Sequence, residues 1–381
     1  MSKRPAHVVN RHRRTPWILA AVGIMLAGAG TGGYVLYRAD HEATVQPAAV
    51  AKPAPIVPLS IVSTTPAANA SNVQAGSAIT VQLSTALAPD SPMPTLSPGV
   101  PGAWAPLSPT ELEFIAAGPF VPGVAETLTI PGGPQGMRSA QGQTLAQNAT
   151  VPFTVEQGST LRLQQLLAEL GYLPVTFNPT TQPTSPIQEL EPQQGSFAWR
   201  WPNQPTQLVS LWTPGTWNII TKSAVMAFED QHGLKTDGQA GAAVWADLLQ
   251  AAAAGQADPH AYPFVLVSES LPQTVTVYQN GALAYHTLAN TGVAAAPTQQ
   301  GTFTVYLRYL STTMSGTNPD GTKYSDPNIP WVSYFNGSDA LHGFDRSSYG
   351  WPQSVGCVEM PPANAQVVYP MTPIGTIVTV Q

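Results

Sequence analysis

The chain of 381 residues has one cysteine, Cys357, and that scarcity removes two large classes of small-domain chemistry. No internal disulfide framework is possible, and no multi-cysteine metal site can be built. Charge is scarce as well: Asp, Glu, Lys and Arg make up 9% of the residues, against about a quarter in an average globular protein. Cations are scarcest in the body, because six of the 15 Lys and Arg lie at or before Arg38 while all 21 acids lie after it. Nine cations against 21 anions in residues 39–381, with no basic stripe, argue against nucleic acid as a partner. No HExxH pair, phosphate-cradling glycine loop or Asp/Glu cluster with metal spacing is present, so no cofactor and no metal are implied.

What the chain has in plenty is Gly (32) and Pro (39), which favours short strands and turns over long helices. Its length predicts two or three domains. The expected architecture is multidomain and mainly β.

Residues 17–37 form the one long uncharged apolar run, 21 residues, enough to cross a hydrocarbon core of about 30 Å. Lys3, Arg4, Arg11, Arg13 and Arg14 precede it without an acid. The positive-inside rule therefore keeps residues 1–16 in the cytoplasm and exports everything after Arg38. Trp17, Tyr34 and Tyr37 suit interfacial anchors. The alternative is a cleaved signal peptide, since Ala27-Gly28-Ala29 offers a small-residue cleavage site; either way the body is exported.

Residues 38–57 are Ala- and Pro-rich and read as a spacer. From 58 to 156, short runs such as Ala78–Leu83, Glu111–Phe114, Glu126–Ile130 and Val151–Val155 recur between Pro/Gly turns, which predicts a β-sandwich. In texture and strand spacing it resembles bacterial Ig-like modules. From 158 to 250 the period becomes helical. Leu163, Leu166, Leu167 and Leu170 mark one helix stopped at Gly171, Thr221 is placed to cap a second carrying Ala224, Val225 and Phe228, and Val244, Trp245 and Leu248 mark a third. The ordered strings LQQLLAELGYLP, TKSAVMAFEDQHGLKTDG and VWADLL resemble the three-helix peptidoglycan-binding module. Glu229 stands where that family usually has Gln, and residues 178–216 are a Pro/Gln/Trp-rich insertion.

Residues 251–261 are predicted as a linker, and 262–381 as a final β-rich domain. Its strands are Phe264–Val267, Val275–Tyr278, Tyr285–Leu288, Thr302–Tyr309, Trp331–Phe335 and Gly375–Val380, with an Asn280-Gly281 hairpin turn and a short helix over Pro362–Val368.

That domain holds the lone thiol. A cysteine enzyme needs an imidazole or a positive field to make thiolate, and His342, 15 residues upstream across a Gly/Ser/Pro loop, is the nearest candidate. Gly356 permits close approach of a substrate carbonyl to the backbone. On spacing alone, a loop histidine and a packed thiol explain the pair as well. The order His342-Gly343, loop, Ser354-Val355-Gly356-Cys357-Val358-Glu359-Met360, together with Pro297–Phe303, resembles the YkuD-type L,D-transpeptidase catalytic domain over about residues 263–381.

The resemblance implies Cys357 as nucleophile, His342 as base, and the Gly343 carbonyl orienting the imidazole. It further implies an oxyanion hole from the Gly356 and Cys357 amides, Ser354 bracing the loop, and Tyr334 and Trp331 as weaker candidates for the pocket wall. Two positions depart from the family: Val355 replaces a common His, and Glu359 replaces a common Arg, putting a negative charge where a carboxylate-bearing ligand would be repelled. The implied reaction is acyl transfer on peptidoglycan stem peptides through a thioester, giving 3-3 cross-links in cell-wall and cell-shape biogenesis. Carbapenem acylation at Cys357 is implied too. The partners would be peptidoglycan stem peptides and glycan, plus the cytoplasmic membrane through the N-terminal helix. An L,D-carboxypeptidase with water as acceptor, and a non-catalytic wall-binding protein with a degenerate domain, are the alternatives.

Overall fold

A computed structural model describes residues 56–181 and 188–381. The expected membrane span at 17–37 lies outside the described residues; among those, no helix is long and apolar enough to cross a membrane.

The first domain is a sandwich of two four-stranded sheets. Its strands are β1 (Ile61–Thr65), β2 (Ala70–Val73), β3 (Ile79–Leu83), β4 (Thr95–Ser97), β5 (Gly102–Ser108), β6 (Glu111–Ala116), β7 (Ala125–Ile130) and β8 (Ala149–Val155). The sheets are ordered β1-β3-β6-β5 and β2-β8-β7-β4. Alternation does the sorting: Ile79, Val81 and Leu83 point inward from β3, as Val151, Phe153 and Val155 do from β8.

The helical region holds α1 (Thr160–Glu169), a hairpin of β9 (Val175–Pro179) and β10 (Gly195–Trp199), a one-turn α2 (Thr206–Val209), α3 (Ile219–Gln231) and α4 (Ala242–Ala254). Ser159 caps α1 by accepting the Arg162 N–H, and Gly171 leaves it at φ +85°, a left-handed exit that only glycine takes without strain. Two boundary expectations are corrected. The cap of α3 is Asn218, whose Oδ1 accepts the Thr221 N–H at 2.9 Å, so Thr221 sits in the first turn rather than before it. Ala251–Ala254 are the last turn of α4 and not linker, because four alanines are strong helix formers and the stop comes only at left-handed Gly255. The described residues of the insertion include β10 and α2.

The last domain is built of two sheets. One is five-stranded, in the order β13 (Ala282–Leu288), β12 (Thr274–Gln279), β11 (Pro263–Ser268), β19 (Ile377–Val380), β14 (Gly301–Thr304). The other is β15 (Leu307–Thr317), β16 (Lys323–Asn336), β17 (Asp339–Gly343), β18 (Val358–Met360), with α5 (Pro362–Val368) beside it. Thr302–Tyr309, expected as one strand, is two strands in different sheets. The chain changes partner at the break: Val305 N–H donates to Thr376 O, and the next amide, Tyr306, donates to Tyr334 O. Valines of β11, β12 and β19 meet Leu341, Val358, Met360 and Val368 in a common core.

The helical region abuts this domain closely. Ser223 and Thr304 share a hydroxyl hydrogen bond of 2.6 Å, and a Cβ on Gly375 would stand 2.6 Å from the Ser223 carbonyl oxygen.

Candidate active site

The parallel pair β17–β18 places the residues singled out in the sequence. Its register sets Leu341 opposite Val358 and His342 opposite Glu359. Side chains alternate across a pleated sheet, so Leu341 and Val358 enter the core while His342, Glu359 and the preceding Cys357 take the other face. That face is one wall of a cavity of about 290 Å³ lined by His342, Ser354, Val355, Cys357 and Glu359. The long β15–β16 hairpin also lines it, through Met314, Tyr324, Asp326 and Ile329. Those hairpin residues were not singled out in the sequence. The available signal was Asn318-Pro319-Asp320-Gly321, a hairpin turn between Thr/Ser/Tyr-rich runs, closed here by Asn318 N–H to Thr322 O at 2.8 Å.

His342 is 3% exposed. Its Nδ1 lies 3.0 Å from the Gly343 carbonyl, which can only accept, so Nδ1 carries the proton and Nε2 is the basic position. Burial holds the imidazole below its ordinary range, against the opposing effect of the Gly343 carbonyl, which keeps it neutral and able to take a proton.

Cys357 is half-buried, and its thiol donates to the Ser338 carbonyl at 3.5 Å. Burial pushes the thiol up to about 12, with Asp339 and Glu359 adding to the shift and the Ala340 amide opposing it. The thiol is therefore protonated at neutral pH. Among the described residues no hydrogen bond joins it to His342; the two share the cavity wall.

Ser354 bonds within the loop that delivers Cys357. Its hydroxyl donates to the Cys357 carbonyl, and its amide donates to Thr291 O at 3.0 Å. Gly356 has φ +113°, and a Cβ there would stand 2.7 Å from Asp339 Oδ1, so glycine is needed on both counts. The Pro297–Phe303 segment closes the same region: Thr298 accepts the Gly292 N–H at 2.9 Å, and Gln299 N–H points to Asp339 at 3.4 Å.

Tyr334 and Trp331 are placed differently from the expectation. Tyr334 packs with Ile329, Val332 and Ala340 beside Cys357, and Trp331, at φ +59°, packs into the core and against Tyr369 at 5.7 Å between ring centres. Neither lines the cavity. Glu359 also corrects an expectation. Rather than presenting a bare negative charge, it is 4% exposed and accepts two hydrogen bonds of 2.8 Å from Arg346, which neutralises it within the site.

Comparison with known proteins adds a family match. Residues 263–380 match the model of the YkuD L,D-transpeptidase catalytic domain, and residues 56–155 that of a bacterial Ig-like domain. No curated protein matches the chain. Among solved structures, an L,D-transpeptidase from Mycobacterium smegmatis is 13% identical, covering 85% of this chain and 100% of that one, with a TM-score of 0.29. L,D-transpeptidase 3 from Mycobacterium tuberculosis, in complex with a faropenem-derived adduct, is 11% identical over 84% of this chain and 97% of that one, with a TM-score of 0.29. The catalytic domain of the E. faecium L,D-transpeptidase is 26% identical over 32% of this chain and 100% of that one, again with a TM-score of 0.29. The family match spans the residues that line the cavity from Met314 to Glu359. By that match, residues 263–380 are an L,D-transpeptidase catalytic domain of the YkuD type.

Proposed function

We propose that this protein is a peptidoglycan L,D-transpeptidase that forms 3-3 cross-links through a thioester on Cys357. The observation that carries the reading is that the lone thiol and a buried neutral imidazole, its Nδ1–H tied to the Gly343 carbonyl, line one wall of one cavity.

In this mechanism His342 Nε2 takes the Cys357 proton as substrate enters, and the thiolate attacks the carbonyl carbon of the third stem residue. The Gly356 and Cys357 amides stabilise the tetrahedral oxyanion. The C–N bond to the terminal D-alanine breaks, the imidazolium returns the proton to that leaving amine, and the thioester remains. A side-chain amine of a second stem peptide then attacks the thioester and gives its proton to His342. Sulfur leaves, and the thiol is restored with that proton.

The remaining domains serve placement. Residues 17–37 anchor the chain in the cytoplasmic membrane, the Ig-like domain is a spacer, and the three helices of residues 158–250 hold wall polymer, so that tethering raises the effective substrate concentration. Incubation of the purified protein with a tetrapeptide stem tests the chemistry. Cross-linked dimer with release of D-alanine is expected; release of D-alanine with tripeptide alone would make the protein a carboxypeptidase, and no release would contradict the enzyme reading.

A further inference from the structure

Residues 344–356 lead from His342 to Cys357 without helix or strand of their own; backbone hydrogen bonds fasten Phe344 to Met360, Gly350 to Gln273 and Ala289, and Gln353 and Ser354 to Thr291, and between Phe344 and Gly350 the loop is held through side chains. The position of the sulfur therefore depends on what holds this loop. One side chain is central to it. Arg346 donates from Nε and from a terminal nitrogen to the two oxygens of Glu359, each at 2.8 Å, and the same terminal nitrogen reaches Gln353 O at 3.4 Å. Its backbone N–H donates to the Tyr349 hydroxyl at 3.1 Å, which donates in turn to Phe344 O at 2.6 Å. The guanidinium also lies 4.6 Å from the centre of the Phe344 ring, whose edge-to-face partner is His342.

The other end of the clamp is built into the sheet. Glu359 lies in register with His342, is buried, and exchanges backbone hydrogen bonds of 2.9 Å in both directions with Asn290. A forked, charge-assisted pair on a buried carboxylate is protected from the screening that weakens surface pairs.

We propose that Arg346 and Glu359 are a positioning pair: Arg346 gathers both ends of the 344–356 loop and fastens them to the strand beside the base, which sets Cys357 on the same cavity wall as His342. Neither residue is assigned a chemical step. The catalytic consequence rests on the function proposed above, whereas the holding of the loop does not.

Two measurements on the full chain separate these levels: amide hydrogen exchange over residues 344–356, and the rate of Cys357 acylation across a range of imipenem concentrations. The main variant is Arg346→Met/Glu359→Gln, which removes both charges and leaves neither buried alone. Its melting temperature should stay near that of the wild type while exchange in the loop rises at least about tenfold. The maximal acylation rate should fall at least about tenfold with the half-saturating concentration unchanged, a split that general destabilisation does not produce. Arg346→Lys, which keeps the charge but cannot fork, should lie between, and it decides by the same two readings if the double variant fails to fold. Exchange at the wild-type rate overturns the proposal, and so does faster exchange with unchanged acylation. A wild type that is not acylated, together with faster loop exchange in the variant, leaves the clamp standing and removes the function proposed for the site.

Discussion

Glu229 offers a quantitative test of how burial governs the helical region. It lies on α3 at 1% exposure, and its Oε2 accepts the Gly238 N–H at 2.8 Å. Burial pushes its carboxyl up to about 7, with the Gly238 amide opposing and Asp237 adding to the rise. Below pH 4.5 both the folded and the unfolded chain hold the proton. Between pH 4.5 and 7 the folded chain keeps it while the unfolded chain releases it, so stability falls as pH rises through that window. Above pH 7 both are ionised and the full penalty remains, on the order of 2–3 kcal/mol. Glu229→Gln keeps a carbonyl to accept the Gly238 N–H and has no proton to lose. The variant should match the wild type in stability near pH 4 and exceed it by on the order of 2–3 kcal/mol at pH 8. Urea unfolding at the two pH values, followed by exchange of the α1, α3 and α4 amides, reads the difference. An equal gain at both pH values, or none at either, would mean that Glu229 is not held protonated by burial.

The remaining predictions concern the thiol and its loop. With its thiol pushed up to about 12, Cys357 in the unliganded protein should react slowly with iodoacetamide at pH 8, with the rate still climbing about tenfold per pH unit beyond pH 9. A plateau near pH 9 would show an unperturbed thiol. Gly356→Ala forces a methyl group toward Asp339 at a positive φ, a backbone strain of about 1–3 kcal/mol, and should abolish acylation while leaving the Ig-like domain folded. Acylation at the wild-type rate, measured by intact mass, would show that the turn tolerates a side chain.

The sequence was most legible where periodicity and chemistry coincide. Alternation in Ile79–Leu83 and the spacing of Leu163, Leu166 and Leu167 reflect directly which faces become buried. The match over residues 263–380 agrees with the motif around Cys357. Less legible was anything decided by partners remote in sequence. The split of Thr302–Tyr309 follows from successive amides finding Thr376 and Tyr334, and no local signal marks it. The part of the cavity lined by Met314, Tyr324, Asp326 and Ile329 depends on a hairpin meeting residues that come later in the chain. Glu359 read as a reversed charge because its partner, Arg346, is 13 residues away and is recognised only once β18 is aligned with β17. Trp331 is aromatic and near the site in sequence, yet its left-handed backbone is accompanied by packing into the core.

Activation of the Cys357 sulfur by His342 is read out by intact-protein mass spectrometry after incubation with a carbapenem. One covalent adduct is expected on the wild type, none on Cys357→Ala, and an adduct forming at least about a hundredfold more slowly on His342→Ala. An unmodified wild type, or a His342→Ala protein acylated as fast as the wild type, would contradict that activation.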